Sequence, residues 1–294
     1  MKERLKKAAV IGGRLLGVAG LLYVLYLLFA HYRLADLLQK SKEILPILSL
    51  LLLLNIASTL LGIWAWKLML GRYTKQSVSF LEAFWYFSRT EIAKYLPGNI
   101  FHYVGRQAFA ARLGLSQKEM AMVSALFTLS LAAATLLAAT ILAAASGLFA
   151  GWLLGLLLIA TALALGAGIF FYPSFSITQK LAILVILTLS IALQGAMLDL
   201  VLARFFPITP SLAAAFASIY VLSWLVGFVT PGASGGLGVR EGAFIALADR
   251  LGLAIENATA AFGVLFVRIV NILTDTILYL ATHFLAARVA QKKA

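Results

Sequence analysis

Two polar stretches interrupt an otherwise apolar chain: KYLPGNIFHYVGR at residues 94–106 and TPGASGGLGVRE at residues 230–241. Each contains a helix-breaking Pro-Gly pair that is followed by a further glycine and an arginine. Lipid tolerates broken backbone only where protein or a water-filled cavity covers the unpaired polar groups. Because the flanking sequence is apolar enough to enter a bilayer, we expect both breaks to form a site in a membrane transporter.

The composition excludes an ordinary soluble domain. Of the 294 residues, 63% are hydrophobic and 12% are charged, and the mean hydropathy is +0.99. The net charge of +13 is typical of positive cytoplasmic loops beside an anionic leaflet, so it does not indicate nucleic-acid binding. The chain has no cysteine, which excludes disulfides, thiolate metal sites and cysteine nucleophiles.

The hydropathy pattern predicts an all-α, polytopic integral membrane helical bundle. We expect about six full spans, together with two re-entrant helical hairpins at 77–115 and 210–250, each built as a helix, a Pro-Gly break and a second helix. Either half of a hairpin is short for a clean crossing; the alternative is that each stretch forms a pair of full spans. The predicted full spans cover residues 8–30, 44–66, 120–145, 149–171, 181–202 and 259–286.

The lysines and arginines predict the orientation. Most of them fall in residues 1–7, 67–119, 172–180 and 287–294, which lie on one side if the N-terminus is inside. The positive-inside rule then predicts an N-in, C-in protein. We expect it in a prokaryotic cytoplasmic membrane.

The two halves of the chain have similar layouts. Residues 44–145 and 181–286 each comprise a span, a Pro-Gly break and a second span, with the breaks at Pro97 and Pro231. In the predicted topology the first unit starts outside and the second starts inside. This arrangement is typical of an inverted repeat, which many transporters use to build a site near the midplane. We therefore predict one transmembrane domain, 1–294, made of two such units.

The first break carries candidate substrate-binding residues. The chain can turn at Pro97 and Gly98, and free N–H groups at the start of the next helix would suit a phosphate oxyanion. Glu91 would balance the charge or carry a proton. An alternative is a cytoplasmic helix-turn-helix whose basic residues only touch lipid headgroups. The predicted binding residues are Lys94, Pro97, Gly98, Asn99, His102 and Arg106.

The second break offers flexible backbone with exposed N–H groups, followed by the adjacent residues Arg240 and Glu241. A cation at the end of the uncharged run 205–239 requires an anionic partner. No Lys-Ser or Lys-Thr follows the glycines, so a nucleotide P-loop is not expected. A purely structural turn between short helices is the alternative. The predicted binding residues are Thr230, Pro231, Gly232, Gly236, Gly238, Arg240 and Glu241.

The span 259–286 carries a polar stripe. Arg268, Asn271 and Asp275 are spaced i, i+3 and i+7, so they share one helical face. Buried charge is costly in lipid, and the stripe should therefore face the protein interior. Arg268 could bind substrate, with Asp275 as its counter-charge or as a proton carrier; the pair could equally be a structural ion pair.

The two motifs resemble those of the lysylphosphatidylglycerol synthase/flippase transmembrane family. The resemblance rests on KYLPGNI from Lys94 with Gly105-Arg106, and on Pro231-Gly232 through GLGVRE ending at Glu241. This family includes the membrane domain of the multiple peptide resistance factor and stand-alone relatives. The resemblance implies a flippase fold with re-entrant helices that moves a lipid headgroup between leaflets.

The chain departs from the full resistance factor in two ways. After the predicted span 259–286 only a short tail remains, so we expect no aminoacyl transferase domain and no synthesis of the lysyl lipid. The second motif reads Pro-Gly-Ala-Ser-Gly-Gly from Pro231, which is longer than the Pro-Gly-Gly form of the family.

The sequence therefore predicts a flippase for an anionic lipid, either a phospholipid or a polyprenyl-phosphate-linked glycolipid. We expect no enzyme activity, no cofactor and no metal, because the three histidines are scattered and no paired aspartate motif occurs. The alternatives are an integral-membrane lipid-modifying transferase and a non-transporting partner of a lipid synthase. The expected partners are the membrane lipid substrate and anionic lipids, with a homo-oligomer or a lipid-synthesis enzyme as further options.

Overall fold

The computed structural model describes residues 2–74, 77–96, 100–171, 175–253 and 255–291. These residues are about 85% helical and include no strand, which confirms the all-α prediction. The ten α-helices in this part of the chain are α1 (Lys2–His31), α2 (Leu34–Tyr73), α3 (Phe80–Glu91), α4 (Phe101–Ala108), α5 (Gln117–Ser146), α6 (Gly151–Phe171), α7 (Ile177–Leu202), α8 (Pro210–Val229), α9 (Val239–Arg250) and α10 (Asn257–Gln291).

Six helices in the described residues are long and apolar enough to cross a membrane, namely α2, α5, α6, α7, α8 and α10. The predicted helical membrane bundle is therefore confirmed, and five of these six helices correspond to predicted spans. The span predicted at 8–30 stays a prediction, and within it Val18–Ala30 is a shorter apolar helical segment of the described residues. The helix α8, which was predicted as half of a hairpin, is the sixth member of the set.

The hairpin predicted at 210–250 is consequently unequal. Its first half, α8, has 20 residues, so the prediction that either half is short for a crossing is wrong for this helix. The Thr209 side chain caps α8 and Pro210 occupies its first turn, so local sequence fixes the start of this helix. Its second half, α9, has 12 residues.

The hairpin predicted at 77–115 has two short halves. The helix α3 has 12 residues and α4 has 8 residues, whereas a crossing helix needs about 20. A 3-10 turn, Ile92–Tyr95, continues from the end of α3 towards the break. Both α3 and α5 begin at a capping box, in which Ser79 pairs with Glu82 and Ser116 pairs with Glu119, so their starts are fixed by local sequence.

Corresponding helices of the two halves make corresponding contacts. The first helices of the predicted units, α2 and α7, pack against each other. The helix α3 packs against α10, and α8 packs against α5. The 3-10 turn Ile92–Tyr95 also touches the short turn Ser234–Gly236 of the second break. The two breaks are therefore neighbours in the folded chain.

Candidate functional site

A cavity of about 180 Å³ lies between the two breaks. Arg106 from α4, Arg240 from α9 and Arg268 from α10 all line it, and each is buried. The structure thus brings arginines of both breaks to one cavity. The other polar side chains of the lining are Asn55, Ser58, Thr59, Glu91, Lys94, Tyr95, His102, Tyr103, Thr128, Ser190, Gln194, Asn271 and Asp275.

The cavity lies about halfway along the long helices. Its lining residues Asn55 and Ser58 are near the middle of α2, Ser190 is near the middle of α7, and Asp275 is near the middle of α10. These positions are many residues from either end of their helices. Because a helix rises 1.5 Å per residue, the cavity is far from both ends. The charged side chains of the lining are thus gathered about halfway along these helices, where polar groups must satisfy each other or a ligand.

The first break forms a cluster of ion pairs with α10. Glu91 binds Lys94 at 3.2 Å and Arg106 at 2.8 Å. Lys94 also binds Asp275 of α10 at 2.8 Å, and the Tyr95 hydroxyl donates to Asp275 Oδ2 at 2.6 Å. Glu91 therefore does make the charge-balancing contacts that its position indicated, and Asp275 is bound to the first break.

The second break is bound to α10 through a different pair. Arg268 binds Glu241 at 2.8 Å and donates to the Gly235 carbonyl oxygen at 3.0 Å. The other oxygen of Glu241 accepts from the backbone N–H of Gly238 at 2.7 Å. Because one carboxylate holds both the turn and Arg268, this arginine positions the break as well as lining the cavity.

The predicted pairing of Arg268 with Asp275 is therefore wrong. The two residues share one face of α10, but they are two turns apart, and each reaches a different break. In the described residues Arg268 pairs with Glu241, and Asp275 pairs with Lys94. The helix α10 thus joins the two breaks to each other, which the i, i+7 spacing alone did not indicate.

Arg240 differs from the other cations of the cavity. Its guanidinium donates a hydrogen bond to the Tyr220 hydroxyl and lies over the Tyr220 ring. Among the described residues it has no carboxylate partner. Its Nε atom is buried without a hydrogen-bond partner there, as is the Nε atom of Arg106. Two guanidinium N–H donors of residues that line the cavity therefore have no partner in the described part of the chain.

Two predicted residues of the first break have defined ionisation near neutral pH. Burial raises the pKa of Glu91, but the nearby Lys94 and Arg106 outweigh it and bring that pKa to about 2. Burial lowers the pKa of His102 to about 4. Glu91 is therefore charged and His102 is neutral, so His102 lines the cavity as an uncharged ring. Its centroid lies 3.9 Å from that of the Tyr103 ring, and the two planes are tilted by 41°. Pro97, Gly98 and Asn99, which were also predicted to bind, lie outside the described residues.

The predicted residues before Arg240 shape the turn and do not line the cavity. Gly236 has a φ of 74°, and a Cβ there would lie 3.1 Å from the Gly227 backbone. Gly238 has a φ of 78° and lies against Gly20 of α1. Both positions therefore require glycine, in agreement with the structural alternative. Thr230, Pro231 and Gly232 precede this turn, and the Thr230 hydroxyl donates to its own helix at Val226.

The sequence reasoning missed most of the uncharged polar lining. Asn55 and Ser58 of α2 face Ser190 and Gln194 of α7, and none of these four is among the predicted binding residues. The signal was present, because amides and hydroxyls in the middle of apolar spans are costly unless they are paired. Gly235 and Tyr220 were missed as well, since neither bears a charge.

No group of three or more His, Cys, Asp or Glu side chains in the described residues could hold a metal ion. The chain matches no protein-family model and no curated protein. The family resemblance of the two motifs therefore stays a prediction, and the function rests on the site itself.

Proposed function

We propose that this protein is a flippase, which moves an anionic lipid between membrane leaflets by taking its phosphate into the central cavity. One observation carries this proposal: both Pro-Gly breaks bring buried arginines into a single cavity about halfway along the spanning helices. The cargo would be a phospholipid or a polyprenyl-phosphate-linked glycolipid.

The unpaired donors of the cavity support an anionic cargo. A buried guanidinium is costly unless a partner compensates its charge, and Arg240 has no carboxylate partner in the described part of the chain. Arginine binds phosphate oxygens with charge-assisted hydrogen bonds in a planar geometry. The free Nε atoms of Arg106 and Arg240 are suitable donors for this purpose.

The size of the cavity supports a headgroup as its occupant. Its volume of about 180 Å³ is below the ~300–1,000 Å³ of typical ligand pockets, so an entire lipid would not fit. Apolar side chains on the outside of the first break, including Leu96, Ile100 and Val104, are exposed. Acyl chains could remain against such a surface while the phosphate enters from the side.

An inverted repeat is part of the proposal. Exchange of α2 with α7, α3 with α8, α4 with α9 and α5 with α10 reproduces the helix contacts of the bundle. At the junction of α2 and α7, the Ser58 hydroxyl donates to the Ser190 carbonyl and the Ser190 hydroxyl donates to the Ser58 carbonyl, both at 2.9 Å. Reciprocal bonds of this kind are what a local two-fold relationship produces, and repeats so related are common in transporters.

The orientation completes the proposal. If both termini of the protein lie on the cytoplasmic side of the membrane, the first break would face the cytoplasm and the second would face outward. This assignment agrees with the resemblance to the lysylphosphatidylglycerol synthase/flippase transmembrane family. Rearrangement of the two units around the shared cavity would then expose the phosphate to each side in turn.

The test is leaflet exchange in vesicles of defined composition. Purified protein in phosphatidylcholine vesicles should accelerate the inward movement of trace acyl-chain-labelled phosphatidylglycerol, measured by quenching of the label in the outer leaflet. The labelled lipid should be recovered chemically unchanged. Exchange no faster than in protein-free vesicles would refute the function, and a chemically altered lipid would favour an enzyme instead.

A further inference from the structure

We propose that the cavity selects a lipid with a single negative charge and an uncharged, hydroxyl-bearing headgroup, and that it disfavours headgroups that carry an amine. This inference rests on the proposed function and names the substrate class of that site. It is carried by two features of the lining, the occupancy of its carboxylates and the presence of an uncharged polar subsite beside the arginines.

In the described residues, the carboxylates that line the cavity, Glu91 and Asp275, and the adjoining Glu241 are all occupied by cations of the protein itself. Glu91 is bound by Lys94 and Arg106, Asp275 is bound by Lys94, and Glu241 is bound by Arg268. The ammonium of an amine headgroup would have to displace one of these partners or remain without a counter-charge. Leaving a buried cation uncompensated is strongly unfavourable.

The charges of the site leave room for one negative charge. The cations Lys94, Arg106, Arg240 and Arg268 line the cavity, and the three carboxylates Glu91, Glu241 and Asp275 pair with all of them except Arg240. His102, neutral near pH 7, adds no charge. One phosphodiester would therefore compensate Arg240, whereas a zwitterionic headgroup would bring a positive charge that no free acid meets.

An uncharged polar subsite adjoins the arginines. The Gln194 amide donates to Asn55 Oδ1 at 2.6 Å and to Ser58 Oγ at 3.1 Å, so these side chains form one network between α2 and α7. All three line the same cavity as Arg240. Asn271 of α10 also lines it, and its Oδ1 atom is buried without a partner in the described residues.

Amides and hydroxyls of this kind can both donate to and accept from hydroxyl groups. Asn271 Oδ1 in particular is an acceptor that a headgroup hydroxyl would satisfy. An apolar group at the same place would leave these amides and hydroxyls partly unpaired. An ammonium group there would meet no counter-charge. The subsite therefore fits the hydroxyl groups of a glycerol, inositol or sugar headgroup.

The first test compares headgroups on one acyl chain. Protein in phosphatidylcholine vesicles should exchange trace labelled phosphatidylglycerol at least about tenfold faster than labelled phosphatidylethanolamine, since an uncompensated buried ammonium is costly. Equal acceleration of both lipids over protein-free vesicles would overturn this inference and leave the flippase function intact. If neither lipid is accelerated, the proposed function itself fails.

The second test adds a carboxylate to the subsite without changing its shape. The substitution Gln194→Glu should lower the ratio of phosphatidylglycerol to phosphatidylethanolamine exchange by about tenfold or more, because a free acid would now meet the ammonium and repel the phosphate. The matched control is Gln39→Glu, a change of the same charge at an exposed position of α2, which should leave the ratio unchanged. An unchanged ratio in folded Gln194→Glu protein would overturn the assignment of the subsite.

Discussion

Arg240 is only 5% exposed, and its guanidinium meets the phenol of Tyr220 rather than a carboxylate. If a lipid phosphate supplies the missing charge, Arg240→Gln should slow leaflet exchange at least about tenfold, because a hydrogen bond to a charged group contributes about 1.5–3 kcal/mol. The measurement is the exchange rate of labelled phosphatidylglycerol in vesicles.

The matched control for this prediction is Arg250→Gln on the same helix. Arg250 is exposed and does not line the cavity, so its substitution should leave the exchange rate near that of the wild type. Wild-type exchange by well-folded Arg240→Gln protein would remove Arg240 from the transport site.

The buried ion pair between Arg268 and Glu241 predicts a specific coupling. Truncation of one partner leaves a buried charge, at a cost of about 3–5 kcal/mol. The double variant Arg268→Gln/Glu241→Gln should therefore be less destabilised than the sum of the two single variants. The measurement is the free energy of unfolding in detergent micelles, arranged as a double-mutant cycle.

A second cycle, between Arg268 and Asp275, serves as the comparison. These residues are about 10 Å apart along α10 at 1.5 Å per residue, and they bind different breaks. Its coupling should be smaller than that of Arg268 with Glu241. A larger coupling for Arg268 with Asp275 would mean that the direct pairing expected from the helix face is the correct one.

Among the elements, the turn between α8 and α9 depends on glycine. Gly236 has a positive φ of 74° and lies against the Gly227 backbone. Gly236→Ala should lower the free energy of unfolding by about 1–2 kcal/mol from the left-handed conformation alone, and the contact with Gly227 should add to that loss. The measurement is chemical unfolding of the purified protein.

The control for the turn is Gly242→Ala in α9. A Cβ there would meet nothing within 4 Å, and alanine is the better helix former. This variant should be as stable as the wild type or slightly more stable. Equal losses for both glycines would indicate a general effect of substitution in this region rather than a required turn.

The helices and both breaks could be predicted from the sequence because their signals are local. Apolar runs, capping boxes such as Ser116 with Glu119, and the Pro-Gly pairs each act within a few residues. The length of α8 was underestimated, because this 20-residue helix is long enough to cross a membrane and its Pro-Gly pair comes only after that length.

The contacts across the bundle could not be predicted in the same way. The face shared by Arg268 and Asp275 was correct, but which break each side chain reaches depends on how α3 and α9 pack against α10. Likewise, Asn55 and Gln194 are separated by 139 positions, and only the packing of α2 on α7 brings their amides together. A single sequence carries no local signal for such pairs.

At the scale of the whole molecule, an inverted repeat predicts that the starts of α2 and α7 lie on opposite faces of the membrane. Because the chain contains no cysteine, single substitutions report cleanly on accessibility. Ala35→Cys should react with a membrane-impermeant maleimide in intact cells, whereas Thr178→Cys should react only after the cells are permeabilised. Both positions are exposed. Labelling of both from the same side would contradict the inverted arrangement.

The most direct measurement is a structure of the purified protein in nanodiscs that contain phosphatidylglycerol. The account predicts headgroup density inside the central cavity, with phosphate oxygens within hydrogen-bonding distance of Arg240 and Arg106. A cavity that holds only water, with all lipid density confined to the outer surface of the bundle, would contradict it.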